Sequence, residues 1–592
     1  MTEKTFGPLL RPDGVLFRLW APLQDTISLE IDGGEARTMS RAEDGWHSLL
    51  VAEAGIGTRY QFVLADGLKI PDPGSRHQPE DVHGPSEVVD LGSYDWKAAE
   101  WSGRPIEEIV LYELHIGTFT AEGTFRAAID KLDHLKATGI TAIQIMPIAD
   151  FPGRYNWGYD GVLPYAPDAS YGRPEDLMAL VDAAHERGLC VFLDVVYNHF
   201  GPDGNYLPAY APIFTDRHKT PWGNGINYDG KSAQAVRAFV IENAIDWIET
   251  YRFDGLRLDA VHAIEDNSGE HLLHELARRV RAAAGERHVH LVVENEDNDS
   301  DLLMRDAEGR PVFFTAQWND DIHHVLHIAA TGETFGYYAD YADDKTKIGR
   351  ALAEGFVFQG EHMPYRGEER GKPSADLPPT AFISFIQNHD QIGNRAKGDR
   401  MAETQDPDAL KAITAIYLLA PQVPMLFMGE EWGATEPFPY FCDFNEELNE
   451  AVRKGRREEL SRLPGFDGDD LMDPTAESTF KTGKLDWSKA ESAQGGETLS
   501  FYKSLLDLRR RHIAPLLAGA AGGSGQFDAQ SPWVDVRWTL ADGSQLRLLA
   551  NLSAEALKGE VANIEGERLL TLGAVDETGF GPWSLAWMLR QA

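Results

Sequence analysis

Cysteine is nearly absent. Two residues of 592, Cys190 and Cys442, leave no room for a disulfide framework, and their separation offers no metal-ligand or redox spacing. Cys190 sits in the apolar run LCVFLDVV (189–196) and reads as a buried thiol. Long hydrophobic runs are missing too. No stretch reaches the roughly 18 consecutive apolar residues of a membrane span, and the N-terminal MTEKTFGPLLRPDG has no apolar signal core, so no membrane association and a cytoplasmic location are expected. Positive charge is in deficit: 55 Lys and Arg stand against 94 Asp and Glu, a formal charge of -39. Nucleic acid and anionic membrane surfaces would be repelled, which excludes them as partners; a neutral ligand is compatible, as is a solubility or salt-adaptation role. Internal repeats and low-complexity tracts are also lacking. What the chain has in quantity is aromatic residues, at 10% with 14 Trp and 19 Tyr. Such side chains fill cores, and they also stack on flat apolar faces of ligands.

The chain is too long for one core, so several domains are expected. Residues 1–92 read as all-β. Short alternating segments at 14–20, 27–31, 46–51 and 60–64 are separated by Gly- and Asp-rich turns, the pattern of a small β-sandwich. A proline-punctuated link follows at 71–79. Over 93–518 the pattern changes to strands alternating with helices. Strands are predicted at 109–116, 140–145, 189–196, 253–259, 289–293, 312–316, 381–386 and 424–427. Helices are predicted at 124–138, 174–187, 233–250, 270–284, 346–355, 407–419 and 499–512. That order predicts an α/β fold, a (β/α)8 TIM barrel, with insertions after the second, third, sixth and eighth strands, the largest at 197–233. Residues 519–592 revert to β, with strands at 533–538, 546–552 and 583–589, and predict a C-terminal β-sandwich.

Barrels of this kind carry their chemistry at the C-terminal ends of strands. The third strand ends in Asp194-Val-Val-Tyr-Asn198-His199, the fourth in Arg257-Leu-Asp259, the fifth in Glu294-Asn295 and the seventh in Gln387-Asn388-His389-Asp390. Arg257 and Asp259 share a strand face, and alone they would read as a structural ion pair. Three carboxylates converging on one rim, with two histidines and an arginine around them, instead suit glycoside cleavage. Two carboxyls can flank a glycosidic bond as nucleophile and acid/base, and a third can stabilise positive charge in the transition state. A proton donor must hold its proton near neutral pH, so Glu294 is expected among other carboxylates and apolar walls.

These four strand ends, together with Trp157-Gly-Tyr159-Asp160, resemble the signature motifs of the α-amylase superfamily. The resemblance implies that Asp259 is the nucleophile, Glu294 the general acid and then the base, and Asp390 the transition-state stabiliser. It implies that Arg257 orients Asp259, that His199 and His389 bind hydroxyls of the sugar at the reacting subsite, and that Tyr159 stacks on that sugar, unless it anchors its loop. His262 either reaches the leaving-group side or packs its loop. Glu296 is a second carboxylate close to the expected acid. Asn198 occupies a position that helps bind calcium in many α-amylases; here it reads as a hydrogen-bonding Asn that holds the loop, with no metal and no cofactor. Retention of anomeric configuration is implied, with nucleophile and acid about 5 to 5.5 Å apart.

Within the superfamily, FRLWAP (17–22), PDPGSRHQP (71–79) with HGPS (83–86), NDDIHH (319–324), FMGEEW (427–432) continuing to PFPYF (437–441), and TFKTGKLDW (479–487) resemble the maltooligosyltrehalose trehalohydrolases. Cys442-Asp443-Phe444 departs from that pattern. The implied reaction is hydrolysis of the α-1,4 bond next to a terminal trehalose unit, on maltooligosyltrehalose or another α-glucan, by a monomer or at most a dimer. A glycogen branching enzyme with the same triad is the alternative within the superfamily, and a non-catalytic glycan-binding barrel the alternative outside catalysis.

Overall fold

The computed structural model describes residues 4–342, 344–461, 471–559 and 566–592. Eight parallel strands close into a barrel: Leu111–Leu114, Ala142–Ile145, Cys190–Val195, Gly255–Leu258, His290–Val293, Ala316–Trp318, Phe382–Ser384 and Val423–Phe427. The first strand pairs with the eighth, Leu111 opposite Met425, which completes the ring. Both faces of such strands are covered, so they read as near-continuous apolar runs.

The period of two in a strand explains where the chemistry comes to lie. Ile109, Leu111, Ala142, Cys190, Phe192, Val292, Ala316, Trp318, Ile383, Phe385, Val423 and Met425 form one buried cluster. Continuing that face by two residues leads to Glu113 on the first strand, Asp194 on the third, Glu294 beyond the fifth and Asp320 beyond the sixth. On the fourth strand Gly255, Arg257 and Asp259 follow the same alternation. The face that packs the barrel interior therefore delivers a charged residue at the C-terminal end of strand after strand. The opposite faces pack against the helices in the large surrounding core.

The flanking β-regions are built as small sheets. The N-terminal one has a four-stranded sheet containing Gly14–Trp20 and Trp46–Val51, and a second containing Ser28–Ile31 and Arg59–Val63. Arg76 fastens it to the barrel helix Ala233–Glu249 through Asp246, at 3.0 Å. The C-terminal region has a five-stranded sheet containing Val534–Thr539, Gln545–Asn551 and Ser584–Arg590. Its stacked Trp538 and Trp587 donate indole hydrogen bonds to carbonyls of barrel helices, Leu352 at 3.2 Å and Ala415 at 3.1 Å.

Several elements differ from expectation, among them the helix Glu446–Leu460 and the hairpins at 214–226 and 361–370, none of which was expected. The sixth strand is Ala316–Trp318, not 312–316: the apolar VFF segment runs back along 302–304, with Val312 and Phe314 bonded to Met304 and Leu302. The helix expected over 124–138 is two, Phe125–Ile129 and Leu132–Thr138. The helix Asp320–Thr331 was not expected, because its buried positions include His323, His324 and His327, which blur the apolar period. Among the described residues no helix is long and apolar enough to cross a membrane.

Candidate active site

Arg257 is fully buried and organises the barrel rim. One Nη donates to Asp194 Oδ2 at 2.6 Å and to Asp259 Oδ1 at 2.9 Å; the other donates to Glu294 Oε2 at 2.8 Å. Its guanidinium lies 4.1 Å from the centroid of the Trp318 ring. A planar fork with several donors can bridge carboxylates from three strands, which a point-charge ammonium cannot. Glu294 Oε2 also accepts the backbone N–H of Ala260 at 2.8 Å. Ala260 has φ 39°, a conformation uncommon for a residue with a side chain, and this turn aims its N–H at the acid. Asp259 accepts from Asn198 Nδ2 at 2.8 Å, and the same amide holds the Asp259 carbonyl at 2.7 Å. As expected, Glu294 shares the cleft with other carboxyls, Asp259, Asp320 and Asp390, but its closest polar neighbours are a cation and an amide N–H, which the sequence did not suggest.

Asp194 was not singled out from sequence. Its Oδ2 accepts from Tyr159 Oη at 2.8 Å as well as from Arg257. Burial pushes its carboxyl up to about 7 against the pull of the Arg257 guanidinium, with Asp259 adding to the rise. The available signal was an Asp on the inward face of an otherwise apolar strand.

On the far side of the cleft, Asn388 caps the short helix His389–Gly393 and accepts from the N–H groups of Asp390 (2.9 Å) and Gln391 (3.2 Å). His389 is buried. Its Nδ1 lies 2.6 Å from Glu113 Oε1, its N–H donates to Glu113 Oε2 at 3.1 Å, and its Nε2 stands 3.5 Å from Asp390 Oδ2. Burial works against a charged ring, but Asp390 and Glu113 outweigh it and raise the imidazole to about 9. Asp390 faces the cleft, 39% of its side chain accessible, and is enclosed by protein elsewhere. That enclosure raises its carboxyl, while His389 opposes the rise. Glu113, like Asp194, was missed; it is a Glu inside the apolar run IVLYELHI.

A testable consequence follows for His389. Its folded value of about 9 lies above the roughly 6.5 of an unfolded histidine, so its contribution to stability is complete below about pH 6.5 and is lost as pH rises through about 9. In Glu113→Gln one of the two anions is gone, so the loss should still begin at about pH 6.5 but be smaller and complete at a lower pH than in the wild type. Thermal unfolding from about pH 6 to about pH 10 checks this, and identically shaped profiles for wild type and variant would count against the pairing.

The cleft above these groups has a volume of about 1350 Å³. Tyr159, His199, Asp259, His262, Glu294, His389 and Asp390 all line it; Arg257 lies beneath its floor. His199 differs from expectation in one respect. Nε2 is bound to the Tyr159 carbonyl at 2.9 Å and Nδ1 to Asn198 Oδ1, so a sugar hydroxyl must compete with a protein partner. Tyr159 is anchored through Asp194 and stacked on His389 at 5.1 Å, yet still borders the cleft. His262 Nδ1 accepts the Glu296 N–H at 3.4 Å. Glu296 does not extend the Glu294 strand face: the strand ends at Val293, and the Glu296 side chain is 62% exposed. Asp320 is a further cleft carboxyl missed from sequence. Asn198 is committed to Asp259 and His199, and among the described residues no group of three or more His, Cys, Asp and Glu side chains could hold a metal ion.

The α-amylase catalytic-domain family matches residues 93–211, and a domain family of unknown function matches 520–587. The malto-oligosyltrehalose trehalohydrolase of Deinococcus radiodurans is 45% identical, covering 96% of this chain and 94% of its own. That of Saccharolobus solfataricus is 42% identical, covering 86% and 87%. A crystal structure of a candidate α-amylase from Salmonella typhimurium superposes with TM-score 0.95 at 46% identity, over 99% of this chain and all of that one. Sequence, fold and site geometry thus agree: the chain belongs to the malto-oligosyltrehalose trehalohydrolase family, among the α-amylase-type barrels.

Proposed function

We propose that this protein hydrolyses the α-1,4-glucosidic bond next to the terminal trehalose unit of maltooligosyltrehalose, with retention, releasing trehalose and a shortened maltooligosaccharide. Asp259 attacks the anomeric carbon. Glu294 protonates the departing oxygen and then draws a proton from the incoming water. Asp390, paired with cationic His389, stabilises the oxocarbenium-like transition state and grips sugar hydroxyls. The observation that carries the chemistry is the Arg257 fork between Asp259 and Glu294. One guanidinium joining both carboxylates holds them at one rim; retention, with the roughly 5–5.5 Å spacing of such a pair, is what the α-amylase resemblance implies. Arg257 holds Asp259 oriented and presents one cation to both. The relatives supply the substrate class. The two buried thiols suit a reducing compartment, so a cytoplasmic location completes the proposal.

Product analysis tests it. Free trehalose is expected from maltooligosyltrehalose. New α-1,6 branches from amylose, without trehalose release, would overturn the hydrolase assignment in favour of a branching transferase.

Two exposed aromatic side chains border the cleft, Trp222 (51% exposed) and Tyr365 (60% exposed), both on inserted hairpins. Trp222 stacks on His199 at 4.6 Å, with its ring available to a pyranose face. Trp222→Ala is expected to raise KM several-fold, about 0.5–1.5 kcal/mol of lost stacking, with a smaller change in kcat. Steady-state kinetics on maltooligosyltrehalose checks this, and an unchanged KM would remove Trp222 from the sugar path.

A further inference from the structure

The loop that begins at Glu294 is braced by a buried ion pair, Arg370–Asp321, whose arginine lies in the wall of the same cleft. Arg370 ends the second strand of a hairpin, Glu361–Met363 with Glu368–Arg370, whose tip carries Tyr365 into the cleft. The Arg370 side chain is buried. Its Nε donates to the carbonyl of Glu296 at 2.7 Å, and an Nη donates to Asp321 Oδ1 at 2.9 Å and to the Tyr341 hydroxyl. Asp321 is itself a hub: its Oδ2 accepts from Asn298 Nδ2 at 3.1 Å and from the Val357 N–H at 2.7 Å. Gln317, on the sixth strand, braces the same loop through the Asn295 carbonyl and Asn298 Oδ1, both at 3.0 Å. Lys372, two residues past Arg370, donates its N–H to the Asn298 carbonyl at 3.1 Å. Asn298 has φ 51°, so the loop is bent there in a conformation that neighbours must hold.

Within the loop the Asn298 N–H donates to the Asn295 carbonyl at 3.2 Å and the Asp297 N–H to Asn295 Oδ1 at 3.0 Å. The restraint that ties the loop to other elements comes from the hairpin, whose Arg366 also reaches the Glu296 carbonyl at 3.0 Å, from Gln317 and from Asp321. We propose that Arg370 is a positioning residue for the general acid: through Asp321 and the Glu296 carbonyl it couples the cleft hairpin to the loop that carries Glu294. This rests on the reading of Glu294 as the acid. Arg370 touches no reacting atom. Arg257 and the Ala260 N–H hold the Glu294 carboxylate directly; Arg370 steadies the loop that follows it, and so makes the position of the acid depend on the hairpin that borders the bound glucan.

The coupling is specific to leaving groups that need a proton. A trehalosyl leaving group departs as an alkoxide unless Glu294 protonates it, whereas fluoride departs as the anion unaided. Arg370→Lys keeps a cation beside Asp321, but a single ammonium does not reproduce the fork that also holds the Glu296 carbonyl. For Arg370→Lys and Arg370→Met, kcat/KM on maltooligosyltrehalose is expected to fall roughly 10- to 100-fold, the cost of about an ångström of misplacement. On α-maltotriosyl fluoride the same ratio should stay within about threefold of wild type, because the glycosylation step draws little on general-acid catalysis. Equal losses on both substrates, or no loss on either, in folded Arg370→Lys would overturn the proposal, since distortion of the whole site would affect fluoride as well. Glu294→Gln separates the two readings. If it discriminates between the substrates and the Arg370 variants do not, only the coupling fails. If Glu294→Gln itself loses equally on both, the acid assignment fails and takes the coupling with it.

Discussion

Asp259→Asn is expected to abolish turnover of maltooligosyltrehalose, with kcat lowered roughly 10⁴- to 10⁶-fold, the scale on which an enzyme loses its nucleophile. The isosteric amide can accept one bond from Arg257 or Asn198, so the rim should stay assembled. It has no anionic oxygen to form the glycosyl-enzyme. The loss should therefore fall in kcat, with KM and the unfolding temperature close to wild type. That separation matters because Arg257 would still bind Asp194 and Glu294, leaving two of its three carboxylate partners in place. Full hydrolytic activity in a folded Asp259→Asn protein would mean that the Arg257–Asp259 contact is the structural ion pair the stretch FDGLRLDAVHAI suggests in isolation.

How much of this was legible follows from periodicity. Alternation along the strands places Asp259 and Glu294 on the inward face; Asp390 lies beyond its strand, in the helix His389–Gly393, and was brought to the same rim by strand order and by the resemblance to the α-amylase motifs. That resemblance also brought His199 and His389 to the same cleft. What sequence did not yield was pairing between strands. Glu113 lies 276 residues from His389, and nothing local to either says that one holds the other. The same is true of Asp194 with Arg257, and of Trp318 under the guanidinium. The same holds for Glu294, whose contact with Arg257 crosses from strand four to strand five. The hairpin at 361–370 escaped for a different reason. EHMPYRGEER has no alternation, and its place is fixed by Arg366 and Arg370 reaching the Glu296 carbonyl, at 3.0 and 2.7 Å. Helix 320–331 was hidden because its buried face is partly histidine, which hydropathy alone scores as polar.

The largest combined loss of stability and activity is expected from Arg257→Met. Methionine fills much of the space over Trp318 but leaves Asp194, Asp259 and Glu294 without their shared cation. Removing one partner of a buried charge pair typically costs about 3–5 kcal/mol. The cost should depend on pH, and Asp194 sets its sign. Burial already lifts the Asp194 carboxyl to about 7 in the native protein, above the roughly 3.9 of an unfolded aspartate, while Arg257 holds it down. The stability of a group raised in this way is complete below the unfolded value and is lost as pH rises through the folded one. Without Arg257 the folded value rises further, so the loss continues to higher pH. The deficit of the variant should therefore be smaller at about pH 5 and wider at about pH 9. Chemical denaturation at both pH values measures it, and a deficit independent of pH would assign the cost to lost packing on Trp318 instead. Activity should fall by at least about 10²–10³-fold, because a preorganised cation beside the reacting groups has gone. Arg257→Lys is expected to recover part of the stability and little of the activity: an ammonium restores a charge next to Asp194 but cannot hold Asp259 and Glu294 in one plane.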